Sequence, residues 1–237
     1  MTTGRRLSAA VLSGVLAAGS LAGCRSAPNV AAYVGKSTIT EQEVDDVVRN
    51  ATEAADQVNK GLATDDPLRV KVPPRDQIVS TMLVNEICGR LKTDRNLTFL
   101  NVDEAAVARD EALPPDSTIA RERANLYACI STLEQTAAPV APTEAELRDI
   151  FDRGQKAGAI DPELKFEDVG DQLDGQQVRS ALGLRKPFVD AIDRYDVTVN
   201  PKYQPLEVPI LSFQGGIPAI SVVLTPGEKD PAVVDRT

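Results

Sequence analysis

The chain has 237 residues, 26 Lys plus Arg against 35 Asp plus Glu, 42% apolar residues, three Cys, no Trp and no His. Without an imidazole there is no Ser-His-Asp or Cys-His nucleophile pair, no His-containing zinc or iron site and no histidine proton shuttle. Most hydrolase mechanisms are therefore excluded, while the apolar fraction suffices for a packed core.

Arg5 and Arg6 precede an uncharged stretch from Leu7 to Gly23, which ends at Cys24. This is the layout of a secretory signal peptide, whose apolar part falls short of the ~20 residues a membrane-spanning helix needs. Leu21-Ala22-Gly23-Cys24 resembles the lipobox of bacterial lipoproteins, in which the cysteine takes a diacylglycerol group and becomes the new N-terminus. The alternative is a fully secreted protein with an incidental cysteine; position and spacing favour the lipobox. Gly4-Arg5-Arg6-Leu7-Ser8 lacks most of the twin-arginine export motif, so the general secretory route is expected. Acyl chains at about 0.8 kcal/mol per buried methylene would hold the protein on the membrane. A tether of roughly six residues, at most ~20 Å extended, would keep the folded part near the bilayer. Removing residues 1–23 deletes two arginines and no acid, taking the formal charge from −9 to about −11. Such a body is a poor ligand for nucleic acid or anionic headgroups.

Residues 31–40 read as a small hairpin turning at Gly35-Lys36. Thr40 with Glu43 forms a capping box, and apolar residues from Val44 to Val58 at helical spacing predict a helix over 41–59. Residues 61–74, with Gly61, Pro67, Pro73 and Pro74, read as a loop. Helices are expected over 75–92, over 103–112 capped by Asp103, and over 118–136 capped by Asp116 or Ser117. Thr143 and Glu146 make a second capping box for a helix ending near Gly154 or Gly158. Residues 161–174 are mixed, with Phe166, Val169 and Leu173 on one helical face. A last helix is expected over 175–194. Asp196-Val197-Thr198-Val199 has strand composition and meets a turn at Asn200-Pro201. The last 34 residues, with five prolines and the apolar run Ile220 to Leu224, read as an extended segment with room for one or two edge strands. Strand pieces near the two ends suggest that the terminal segments pair.

After lipidation Cys88 and Cys129 are the remaining thiols, an even pair that suggests a disulfide in an exported protein. Each falls on the apolar face of an expected helix. Closing a loop of roughly 40 residues would contribute about 4 kcal/mol in the chain-entropy model. Two separate buried thiols remain the alternative, since sequence does not show that the α-carbons approach.

The run from Tyr33 to Val44, with Tyr33-Val34-Gly35, Ile39-Thr40-Glu41 and Glu43-Val44, resembles the opening of the SurA and PrsA extracytoplasmic foldases. Thr143 through Phe151 looks like the helix that precedes their parvulin prolyl isomerase domain, and Phe166 to Tyr203 looks like their closing segment. Barely fifteen residues separate the two, so the isomerase domain is missing, and its histidine-bearing site has no counterpart in a chain without His. At Gln204 the chain departs from the Gly usual in relatives. The resemblance implies a non-catalytic chaperone domain that holds unfolded or newly exported polypeptides in a groove between helices; an acidic rim would suit basic or neutral clients.

Asp168, Asp171 and Asp174 lack the spacing of a calcium loop and read as a solvated face. Asp45-Asp46 and Asp65-Asp66 are similar. The few aromatics argue against a sugar site, and Asn50 and Asn96 begin sequon matches ascribed to chance. The expectation is thus a mainly α fold: a helical SurA N-terminal-like domain over 31–203 with a small antiparallel β element from the N-terminal hairpin and a C-terminal strand. It follows a signal peptide (1–23) and a lipidated tether (24–30), and precedes a Pro-rich extended segment (204–237). No cofactor, metal or enzymatic activity is expected. Attachment is expected at the extracytoplasmic face of the cell membrane, with an adaptor lipoprotein docking one envelope partner as the alternative function.

Overall fold

The computed structural model describes residues 27–225. The expected signal peptide and lipidation site Cys24 lie outside them, as does the stretch after Thr225.

The chain opens on strands β1 (Val30–Val34) and β2 (Ser37–Thr40), antiparallel and joined through Gly35 at φ 59°. A positive φ favours glycine, so the residue suits the turn. Helix α1 (Glu41–Val58) follows at once, because Thr40 and Glu43 satisfy each other's backbone N–H groups: Glu43 N donates to Thr40 Oγ1 at 3.2 Å and Thr40 N to Glu43 Oε2 at 2.7 Å. After a loop come α2 (Arg75–Asp94), the short α3 (Glu104–Asp110), capped by Asp103, and α4 (Thr118–Thr136), capped by Ser117 rather than Asp116. Then follow α5 (Glu144–Lys156), with the second capping box, α6 (Phe166–Leu173) and α7 (Gln176–Arg194). The mixed stretch is thus a helix of its own, with Phe166 edge-on to Phe151 at 5.8 Å between centroids.

Strand β3 (Val197–Val199) returns to pair antiparallel with β1, giving the sheet order β2-β1-β3. The fold is therefore mainly helical with a small antiparallel element built from both ends, as expected. A 3-10 turn (Pro201–Tyr203) leads to β4 (Glu207–Ser212) and β5 (Pro218–Val223). These two strands do not extend the first sheet; they pair with each other and turn through Gly215 and Gly216, both at positive φ.

Helix α2 is the centre. Its Ile78, Val79, Leu83, Val84, Ile87 and Leu91 are at most 1% exposed, and it packs against α1, α4, α7 and β1. Apolar residues around most of its circumference suit a helix surrounded by others. The β4–β5 hairpin lies on α5 and α7, where Ile220 joins Ile150, Val178 and Leu182, while Leu206, Val222 and Leu224 belong to the main core. Residues 206–224 thus share the packing of the helical body. Among the described residues no helix is long and apolar enough to cross a membrane.

Candidate functional site

The structure places Cys88 and Cys129 at disulfide distance, with α-carbons 6.1 Å apart and both residues at most 2% exposed. They join the central helix to α4. Burial among apolar side chains marks the pair as a structural staple rather than a reactive thiol site.

The charged side chains are largely spent on one another. Glu41 Oε2 accepts from Arg75 at 2.7 Å, from the Tyr203 hydroxyl at 2.8 Å and pairs with Lys202 Nζ at 2.8 Å. Burial alone would raise the Glu41 pKa, but the hydrogen bonds from Lys202, Arg75 and Tyr203 outweigh it and hold the carboxyl below its ordinary value. Glu111 accepts Arg123 through both oxygens, at 2.7 and 2.9 Å, and the Tyr127 hydroxyl at 2.6 Å. Burial and that carboxylate push the Tyr127 pKa up. Glu146 serves the α5 capping box through Oε2 and the nearly buried Arg185 through Oε1. Asp174 pairs with Arg179, while Asp168 and Asp171 stand exposed. Among the described residues no group of three or more His, Cys, Asp or Glu is arranged to hold a metal ion. A carboxylate locked by cations stays ionised and serves as a tie between elements, a structural origin for a shifted pKa.

A different region leaves apolar surface unspent. The loop of residues 59–74 is fixed by hydrogen bonds within it and to the end of α3. The Asn59 amide donates to Val70 O at 3.0 Å and its oxygen accepts from Val70 N at 2.9 Å. Lys71 N reaches Ala112 O at 2.7 Å, Leu68 N reaches Asp66 Oδ1 at 2.8 Å, and the Arg69 guanidinium donates to Leu62 O at 3.3 Å. Held this way, the loop presents Leu68 at 75% exposure, beside Val58 at 40%. Opposite runs α3, whose Ala105 and Ala108, with Ala112 just beyond, carry side chains too short to fill the space. The result is a groove of about 380 Å³ walled by these residues with Pro67, Val70, Leu113 and Pro115. The charged residues in its lining are Arg69 and Arg109. A larger concavity of about 460 Å³ beside Pro205–Pro209 is lined by Asp76, Gln77, Arg123 and Glu207, so its wall is more polar.

An exposed leucine over an apolar groove is the pattern of a binding surface. The sequence marks this region only as a loop. Its readable signal was Leu68 and Val70 standing among Asp, Pro and Arg, with the alanine-bearing helix α3 one helix further on. The chain matches none of the family models, curated proteins or solved structures with which it was compared.

Proposed function

We propose that the protein is a lipid-anchored, extracytoplasmic lipoprotein that binds unfolded or newly exported polypeptide without catalysing a reaction. The leader ending at Cys24 supports the anchor. The likeness of Tyr33–Val44 to the opening of the extracytoplasmic foldases supports the class of client. The observation that carries the reading is the groove under Leu68, an apolar surface on a loop that local hydrogen bonds hold in place. Binding there would proceed by apolar contact and backbone hydrogen bonds, with no covalent step.

The deciding experiment adds the polypeptide from residue 25 onward to several unrelated unfolded proteins and follows light scattering. Suppressed aggregation across the set is the expected result. Protection of none, with crosslinking to a single stoichiometric partner, would replace the holdase by a dedicated adaptor. For the anchor, Cys24→Ala should abolish fatty-acid labelling and membrane retention; unchanged labelling would defeat the lipoprotein assignment.

A further inference from the structure

We infer that the Leu68 groove selects the free C-terminal end of a polypeptide whose last residues are aliphatic, with Arg109 receiving the terminal carboxylate. The inference rests on the peptide-binding reading above and names the part of the client that is held.

The whole chain is acidic, with a formal charge of −9, yet the charged residues in the groove lining are arginines. The two differ in what they already do. The Arg69 guanidinium is committed to the carbonyls of Leu62 and Ala63 and holds the loop. Arg109 is exposed and makes no ion pair among the described residues. No carboxylate of the described residues comes within ion-pair distance of it; Glu111 is paired with Arg123, and Glu104 lies 3.8 Å from Arg121. Asp110, next in sequence, forms no pair with it either. An unpaired guanidinium at an apolar groove is a ready fork for a carboxylate, and two parallel N–H donors give that contact direction.

Shape decides what carries the carboxylate. The groove is about 380 Å³ in volume, partly open to solvent, and three of its lining residues are alanines. A long acyl chain would leave most of its methylenes in water there, whereas good ligand sites bury most of their ligand. A short aliphatic side chain fits between Leu68, Val58 and the alanines, and the carboxylate that follows it reaches the rim. An internal segment supplies the apolar part but lacks the terminal carboxylate, and offers one to Arg109 only where an Asp or Glu side chain stands beside the aliphatic residue.

The test uses the mature lipidated protein in nanodiscs and a fluorescent peptide ending in Leu-Val with a free carboxyl, beside the same peptide as its C-terminal amide. The acid is expected to bind about tenfold more tightly than the amide. Arg109→Gln should remove that preference, Arg109→Lys should retain part of it, and Leu68→Ser should weaken both peptides. Both side chains are exposed, so the folded state survives the substitutions, as a thermal melt can verify. Equal binding of acid and amide overturns carboxylate selection. Octanoate displacing the peptide at lower concentration than the free-acid peptide itself does, in an Arg109-dependent way, assigns the groove to fatty acids and overturns the inference. If neither peptide binds while aggregation is still suppressed, the groove is removed and the holdase function stands; if neither binds and aggregation is not suppressed, both fall together.

Discussion

The hydroxyl of Tyr203 donates to Glu41 Oε2 at 2.8 Å across 162 positions of sequence. Arg75 donates to both, through Nε to the Tyr203 oxygen at 2.8 Å and through a terminal nitrogen to Glu41 at 2.7 Å. One carboxylate therefore ties the first turn of α1, the first turn of α2 and the 3-10 turn behind β3.

Replacing Glu41 should test this tie in two ways. Glu41→Gln should lower stability by about 1–3 kcal/mol, because two cations and a hydroxyl lose an ionised acceptor. Urea denaturation measures the loss. The folded-state pKa of Glu41 lies below its ordinary value of 4.5, since the bonds from Lys202, Arg75 and Tyr203 overcome the upward effect of burial. The stabilisation is then complete above pH 4.5 and fades as pH falls through the lower, folded value. The gap between wild type and Glu41→Gln should narrow accordingly. A gap that stays constant down to pH 2 would show that the contact does not depend on charge.

The pair Cys88 and Cys129 should resist alkylation in denaturant until a reductant is added, as mass spectrometry of the intact protein can read. With 41 positions between them, a double Cys→Ala variant should lose about 4 kcal/mol in the chain-entropy account. Two free thiols in the unreduced protein would contradict the pairing.

Arg185 and Glu146 are both nearly buried. Arg185→Met should cost about 3–5 kcal/mol, because Glu146 keeps its charge and loses its partner. Adding Glu146→Gln should recover part of that loss, since the amide no longer strands a buried charge while it can still serve the capping box. Additive losses in a double-mutant cycle would mean that the two side chains are independent.

Gly183 lies in the middle of α7, where an exposed Gly→Ala change would ordinarily gain about 1 kcal/mol. Here a β-carbon would overlap the Ala138 carbonyl oxygen in the link between α4 and α5. Gly183→Ala should therefore destabilise the protein, by about 1–3 kcal/mol. An increase in melting temperature would refute the close approach.

The helices were legible because their signals are local. Thr40 with Glu43 and Thr143 with Glu146 announce their own starts, and the apolar residues of α1 and α2 recur at helical spacing. The pairing of Cys88 with Cys129 was legible because both fall on apolar faces of neighbouring helices. The C-terminal hairpin is legible as an extended segment with room for one or two edge strands, but not as a pair of strands: its prolines obscure the register, although Gly215-Gly216 between apolar runs is a hairpin signal. The charge partners were hidden for another reason. Nothing near Glu41 in sequence points to Tyr203 or Arg75, and nothing near Arg185 points to Glu146, because those meetings follow from how whole elements pack. The groove was hidden for the same reason, since the Asn59 clamp and the Lys71 contact with Ala112 join segments that sequence leaves apart.

Strand β1 lies between β2 and β3, so the earliest strand of the body has one neighbour just two residues further along the chain and the other beyond all seven helices. A polypeptide emerging N-terminus first must therefore keep one side of β1 unpaired until residue 199 has followed. During that interval the nascent protein presents an open strand edge, the same liability it is proposed to shield in others. The sheet closes only after all seven helices of the described body have been delivered, so its third strand forms late and in the presence of the packed helices.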